Sequence, residues 1–173
     1  FVPKDVLRIL YLDCDTFIVN NLSELYTTDF GEKVAILAKD PFSQAYRSLL
    51  NLPRKAEMYN SGIMLLNRDK YQQDCYDQRI QKVINKYGHK LIQGDQGILD
   101  VIFQGNVKIM DPCFNLISSY YEFSYSELKK YRHMVNFYSS SEIKEAQNNP
   151  VIIHFTSDFL DFRPWFIGSQ HPY

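Results

Sequence analysis

The feature that most constrains this chain is a mostly apolar run, Leu7-Arg8-Ile9-Leu10-Tyr11-Leu12, that stops abruptly at two carboxylates spaced i, i+2, Asp13 and Asp15. A short apolar run bounded by polar residues reads as a buried strand. Alternate strand side chains point the same way, so the spacing predicts that both carboxylates project together from the strand's C-terminal end. Two such anions repel unless a positive charge sits between them, and a hard divalent cation suits oxygen ligands. A cation held there can in turn hold a diphosphate, which is the chemistry of a nucleotide-activated substrate. Asp-x-Asp is nonetheless a common tripeptide, and a solvated turn after a strand accounts for it equally well.

The chain beyond alternates strand and helix signals, which predicts an α/β layout. Asn20 to Tyr26 offers cap residues and a short helix, and Val34 to Ala38 a second apolar strand ended by Asp40-Pro41. A short helix is expected from Phe42 to Leu50, stopped before Pro53. Met58 to Asn67 reads as a strand with Gly62 inside it, and an interior strand glycine marks a bulge or a close approach. One long helix is expected from Arg68 to Tyr87, with Tyr71, Cys75, Ile80, Val83 and Ile84 near one apolar stripe. Gly94 to Phe103 looks like a capped helix, Val107 to Met110 a strand, and Tyr120 to Tyr138 an irregular aromatic stretch. Ser139 to Asn148 reads as a helix capped by Ser140 or Ser141. Val151-Ile152-Ile153 is a last apolar strand that delivers His154 at its end.

With 173 residues the chain fits one domain, 1–173, with enough length to bury a real core. A net charge of −1 argues against a nucleic-acid binder that relies on a broad basic surface. Lys129, Lys130 and Arg132 form the densest basic group, expected as a solvated helix face. Cys14, Cys75 and Cys113 lack paired metal-ligand spacing, and free thiols in a reducing compartment are the simplest account. No apolar run approaches the roughly 18 residues of a membrane span, and no signal peptide is visible. The expected location is cytoplasmic, with peripheral membrane contact left open. Phe1-Val2-Pro3-Lys4 precedes the first strand almost at once, and no Gly-rich phosphate loop is found. The expectation is therefore a domain that lacks its N-terminal part.

Four further sites carry chemistry in the sequence. His154 comes after an apolar strand just as Asp13 does, and a neutral imidazole beside two carboxylates makes a reasonable Mn²⁺ set. A hydrogen-bonded structural histidine is the plainer alternative. Asp95 and Gln96 open a helix, where they either cap free N–H groups or bond sugar hydroxyls. Asn60, beside Gly62, addresses either a hydroxyl or the backbone. Arg163, in Arg163-Pro164-Trp165, carries a donor fork suited to phosphate.

Taken together and in order, these segments resemble family 8 glycosyltransferases. Val6 to Asp15 is similar to that family's strand and DxD motif, and Leu22 to Tyr26 resembles the family's segment just after that motif. Tyr59-Asn60-Ser61-Gly62-Ile63-Met64-Leu65-Leu66-Asn67 resembles its F-N-S-G-V-x-L-x-N strand, and Gly94-Asp95-Gln96 its D-Q motif. Glu142-Ile143, Ala146 and Asn149 to Phe155 resemble its closing segment. The resemblance implies a GT-A nucleotide-diphospho-sugar transferase fold, a Rossmann-like mixed sheet flanked by helices. It implies retaining transfer of glucose or galactose from a UDP-sugar to a glycan or lipid-linked saccharide of the lipopolysaccharide type. Asp13, Asp15 and His154 would hold Mn²⁺ (or Mg²⁺). Asn60, Ser61, Gly62, Asp95 and Gln96 would meet the donor sugar, the last two as the catalytic pair. In this resemblance Arg163 would stand in for a phosphate-binding lysine. Two departures are visible: Ser157 replaces the family's glycine, and three extra residues precede Arg163.

Two other readings compete. A catalytically inactive fragment or glycan-binding module would keep the fold without the reaction. A haloacid dehalogenase-type phosphatase also begins with a strand and Asp-x-Asp. It normally has Thr or Val two places after the second Asp, where this chain has Phe17, and no late acidic pair completes its Mg²⁺ site.

Overall fold

The computed structural model describes residues 2–156 and 163–173. The first apolar run forms β1 (Arg8–Leu12), and a tight turn leads to β2 (Thr16–Ile18) and the short α1 (Ser23–Thr27). Next are β3 (Ala35–Lys39) and β4 (Tyr59–Asn67), joined by a segment with one 3₁₀ turn at Ser43–Tyr46. Then come α2 (Arg68–Gln73), α3 (Tyr76–Tyr87), α4 (Asp95–Ile102), β5 (Val107–Ile109) and the two-residue β6 (Leu116–Ile117). The chain continues through α5 (Ser119–Glu122), α6 (Tyr125–Arg132) and α7 (Ser140–Asn148) to β7 (Ile152–His154).

Among the described residues the strands make two sheets. The larger has the order β1-β4-β3-β5, antiparallel except for the parallel β3–β5 pair. The smaller has the order β2-β7-β6, with β6 and β7 parallel. Because β1 belongs to one sheet and β2 to the other, the turn at residues 13–15 is the seam between them. β3 is buried on both sides and reads as an unbroken apolar run, as a central strand must. Its Ala35 and Leu37 pack with Tyr76, Val83, Tyr87 and Phe103 of the helical layer. Ile36 and Ala38 face the other way, against Ile63, Leu65, Phe114 and Ile152. A third cluster gathers Tyr120, Leu128, Tyr138, Ile143 and Ala146 beneath the smaller sheet's helices. Among the described residues no helix is long and apolar enough to cross a membrane.

Several local expectations need correction. The helix expected over 68–87 is broken at Asp74–Cys75, where Cys75 takes a left-handed conformation with φ 53°. The buried stripe is therefore Tyr76, Val83 and Tyr87, with Ile80 packed against it, while Cys75 is exposed and Ile84 is 40% exposed. Only one 3₁₀ turn forms within 42–50. The stretch 120–138 holds most of α5 and all of α6, and α6 begins with a capping box of Ser124 and Glu127. Ser139, with Glu142, caps α7 in place of Ser140 or Ser141.

Candidate active site

Asp13 and Asp15 do not lie on the strand. They occupy the turn between β1 and β2, so turn geometry, not strand alternation, brings them together. The Asp13 N–H donates to the Gly62 carbonyl at 2.7 Å, continuing the β1–β4 ladder by one step. The Thr16 hydroxyl donates to the Asp13 carbonyl at 2.8 Å and closes the turn. On the other side the Phe155 N–H donates to the Asp15 carbonyl at 2.9 Å, and Thr16 pairs with His154 across β2 and β7. The backbone of each acidic residue is thus tied to a different sheet, and His154 arrives between the two side chains from the second one.

The His154 Nε2 lies 3.2 Å from Asp15 Oδ1 and 3.6 Å from Asp13 Oδ2. One ligand atom from each residue falls within 4.8 Å of the others, compact enough for one cation. Nitrogen with two carboxylate oxygens is a donor set suited to Mn²⁺ or Mg²⁺. His154 is 2% exposed, whereas both acids are half-buried and reach the cavity. The hydrogen bond from the His154 ring holds the Asp15 carboxyl below its ordinary value, against the opposing effect of burial. Tyr11 donates to Asp13 Oδ1 at 2.6 Å, and that bond, with the nearby charge, pushes the phenol up to about 12. Arg163 Nη1 stands 3.9 Å from Asp15 Oδ2, adding positive charge at the open side.

Gly62 accounts for how the imidazole fits. A Cβ at this position would lie 2.0 Å from His154 Cε1, inside any real contact distance. The interior strand glycine is therefore a close-approach site, one of the two meanings its sequence position allows. Beside it, Asn60 and Gln96 are held by side-chain bonds. Gln96 donates through Nε2 to Ser43 Oγ at 2.6 Å and accepts the Ser61 N–H at 3.1 Å. Ser43 in turn donates to buried Asp40 through both its N–H and its hydroxyl, at 2.6 and 2.8 Å. Burial pushes the Asp40 carboxyl above its ordinary value, against those donors.

These groups line one cavity of about 450 Å³, a size suited to a small ligand. Asp13, Asp15, Asn60, Ser61, Gly62, Gln96, His154 and Arg163 all border it. Asp95 is not among the lining residues. It is the exposed first residue of α4, and its Oδ1 accepts the Gln96 N–H at 2.8 Å.

The sequence model of glycosyl transferase family 8 matches residues 1–167. The chain belongs to glycosyl transferase family 8. Glycosyltransferase GlyA of Streptococcus pneumoniae is 27% identical over 165 residues, which cover 95% of this chain and 20% of that relative. General stress protein A of Bacillus subtilis is 22% identical, over 98% of this chain and 57% of its own length. The lipopolysaccharide 1,2-glucosyltransferase of Escherichia coli is 24% identical, over 96% of this chain and 47% of its own. This family 8 chain thus spans between a fifth and under three-fifths of these relatives. Among solved structures, the galactosyltransferase LgtC in complex with donor and acceptor sugar analogues matches with a TM-score of 0.73 at 20% identity. That match covers 95% of this chain and 58% of LgtC. GlyE of Streptococcus pneumoniae matches at 0.63 and 22% identity, over 93% of this chain and 35% of GlyE. The fold is that of the GT-A glycosyltransferases, as the sequence resemblance implies.

Other lining residues of this family 8 site do not stand out in the sequence. Asp40 ends β3 as Asp13 ends the β1 run, but in the linear chain it reads only as a strand terminator. Arg132, expected on a solvated face, lies over the Phe42 ring at 4.1 Å and borders the cavity. Gln93 also borders it, and its buried Oε1 has no partner among the described residues. Tyr46 and Thr156 complete the wall. The replacement at Ser157 and the three extra residues before Arg163 lie outside the described residues.

Proposed function

We propose that this chain is part of a retaining hexosyltransferase, with residues 1–173 belonging to one family 8 domain. Glucose or galactose moves from a UDP-sugar to a glycan or lipid-linked saccharide in bacterial polysaccharide assembly. The reading assigns the protein to the cytoplasm, at most peripheral to the inner face of the membrane. The observation that carries the reading is the convergence of Asp13, Asp15 and His154 at the wall of a polar cavity, with Gly62 leaving room for the ring.

In this reading Asp13, Asp15 and His154 would hold Mn²⁺ or Mg²⁺. The ion when bound supplies Lewis-acid neutralisation of the departing diphosphate's charge. Arg163, already beside Asp15, adds a guanidinium fork for phosphate oxygens. Asn60, Ser61, Gly62 and Gln96 present polar atoms to the donor sugar. Gln96 keeps one amide hydrogen and one lone pair beyond its bonds to Ser43 and Ser61, so it can both donate and accept. Asp95, exposed at the head of α4, would join Gln96 as the substrate moves against it. Same-face transfer through an oxocarbenium-like state, assisted by the leaving diphosphate, needs no covalent nucleophile.

The test is thermal stability with and without UDP, in Mn²⁺ and in EDTA. A ligand that binds only the native state raises the melting point, by about 2.7 kcal/mol of stability at a hundred times its Kd. A UDP-induced rise that requires Mn²⁺ is the expected outcome. A folded chain that shows no such shift, yet binds glycan, would replace this reading with a binding module. Trapping of a glycosyl-enzyme on Asp95 by rapid quenching would overturn the same-face mechanism.

A further inference from the structure

The second nitrogen of His154 is as tightly defined as the first. Nδ1 lies 3.1 Å from Asn115 Oδ1, and His154 and Asn115 are each 2% exposed. Which atom of each amide is oxygen is fixed by a chain of contacts that starts at a backbone group. The Gly62 N–H can only donate, so the Asn60 atom 3.1 Å away is its carbonyl oxygen. The Asn115 atom 2.9 Å from that oxygen must then be its NH₂. This leaves the Asn115 carbonyl facing His154, and an oxygen there requires a proton on Nδ1. The Asn60 NH₂, for its part, points to Asp40 Oδ1 at 3.3 Å. No link of this relay can be flipped alone without setting two acceptors or two donors against each other.

We propose that Asn115 is a positioning residue, which holds a proton on Nδ1 of the His154 ring, so that Nε2, the nitrogen that bonds Asp15 in the metal-free protein, is the one that would offer its lone pair to a cation. The role rests on the metal reading above. A ligating histidine needs its second N–H bonded to an acceptor that sets its tautomer and its angle. Asn115 stands one residue before β6, whose Leu116 and Ile117 pair in parallel with Ile153 and His154. The same backbone pairing thus carries both the ring and its orienting amide. The ring lies against Gly62, in space that a Cβ there would fill.

The test is Mn²⁺ titration of the wild-type chain, Asn115→Leu and Asn115→Asp, by electron paramagnetic resonance of free Mn²⁺, with the melting point of each metal-free protein measured alongside. Asn115→Leu is expected to weaken Mn²⁺ binding about 10- to 100-fold. Asn115→Asp, which still accepts from Nδ1 but sets an oxygen against Asn60 Oδ1, is expected to recover part of that loss. A merely structural residue would lower the melting point in both variants and leave the affinity of the folded chain unchanged, and that result overturns the proposal. Equal weakening in the two variants overturns it as well. Ring ¹⁵N spectra of the metal-free wild type supply a readout that needs no variant. A protonated Nδ1 on His154 is expected, and a bare Nδ1 would sink the relay. Wild-type protein that binds no Mn²⁺ while showing a protonated Nδ1 would instead count against the metal reading alone.

Discussion

The two halves of β4 make opposite use of the same strand. From Tyr59 to Gly62 the strand is wired by side chains: the Tyr59 N–H donates to Asp100, the Asn60 amide bonds Asp40, Gly62 and Asn115, and the Ser61 N–H donates to Gln96. From Ile63 to Leu66 it is an apolar slat, with Ile63 and Leu65 fully buried in the core, before Asn67 turns to cap α2. Tyr59, Ile63 and Leu65 are equally hidden from water, so burial alone does not separate the halves. They differ in what a substitution removes. In the first half it removes a directed bond or a specific clearance. In the second it removes volume, which a core feels as lost transfer energy and as a cavity.

The largest effect expected from this contrast lies just beyond the wired half. Asp15→Ala should abolish the Mn²⁺-dependent rise in melting point with UDP while leaving the metal-free melting point near wild type, as differential scanning fluorimetry can check. A retained rise would separate Asp15 from the metal. Gly62→Ala is next. One methyl group at 2.0 Å from the His154 ring must displace it or part the two sheets. Transferase activity and Mn²⁺ affinity should both fall steeply, and a crystal structure should show the ring moved. Undisturbed metal binding in Gly62→Ala would erase the distinction drawn between the halves.

Leu65→Ala probes the apolar half and should act in the other direction, on stability before function. A buried Leu→Ala change costs about 2–5 kcal/mol, readable by urea unfolding, while Mn²⁺ affinity of the folded fraction should stay unchanged.

The smallest effect concerns pH. Burial pushes the Asp100 carboxyl well above the ordinary carboxylate range, and its Oδ2 has no partner among the described residues. With the folded value raised above the unfolded one, the folded state binds more protons between the two values. Stability therefore falls as pH rises from the unfolded carboxylate value, about 3.9, towards the folded one. Asp100→Asn keeps an oxygen for the Tyr59 N–H and removes the charge. It should match wild type below pH 3.9 and melt higher at pH 7, by roughly 2–4 °C for each kcal/mol gained. An equal pH dependence in both proteins would exonerate Asp100.

The legible part of this protein is the part written in consecutive residues. Asp13, Asp15, Asn60, Gly62, Gln96 and His154 each sit at the end of an apolar run or inside a short motif, and all of them border one cavity. Arg163 is marked by its donor fork and lies beside Asp15. Local energetics also mislead. The apolar spacing over 68–87 continues through Asp74 and Cys75, yet the backbone turns left-handed there so that Tyr76 can enter the core against Phe103. Arg132 reads as solvated in any linear view, because the Phe42 ring beneath it comes from 90 residues away.

By itself the sequence determined the family, the alternating α/β order and the types of donor atom at the site. Those arise from hydrophobic runs and from side-chain chemistry, which are local. Tertiary structure alone decided that the two acids meet in a turn between sheets, that Gly62 is a clearance for His154, and that Asn115 orients that ring. Each of these is a contact between atoms brought together by strand pairing, set to within an ångström in a way that no single segment encodes.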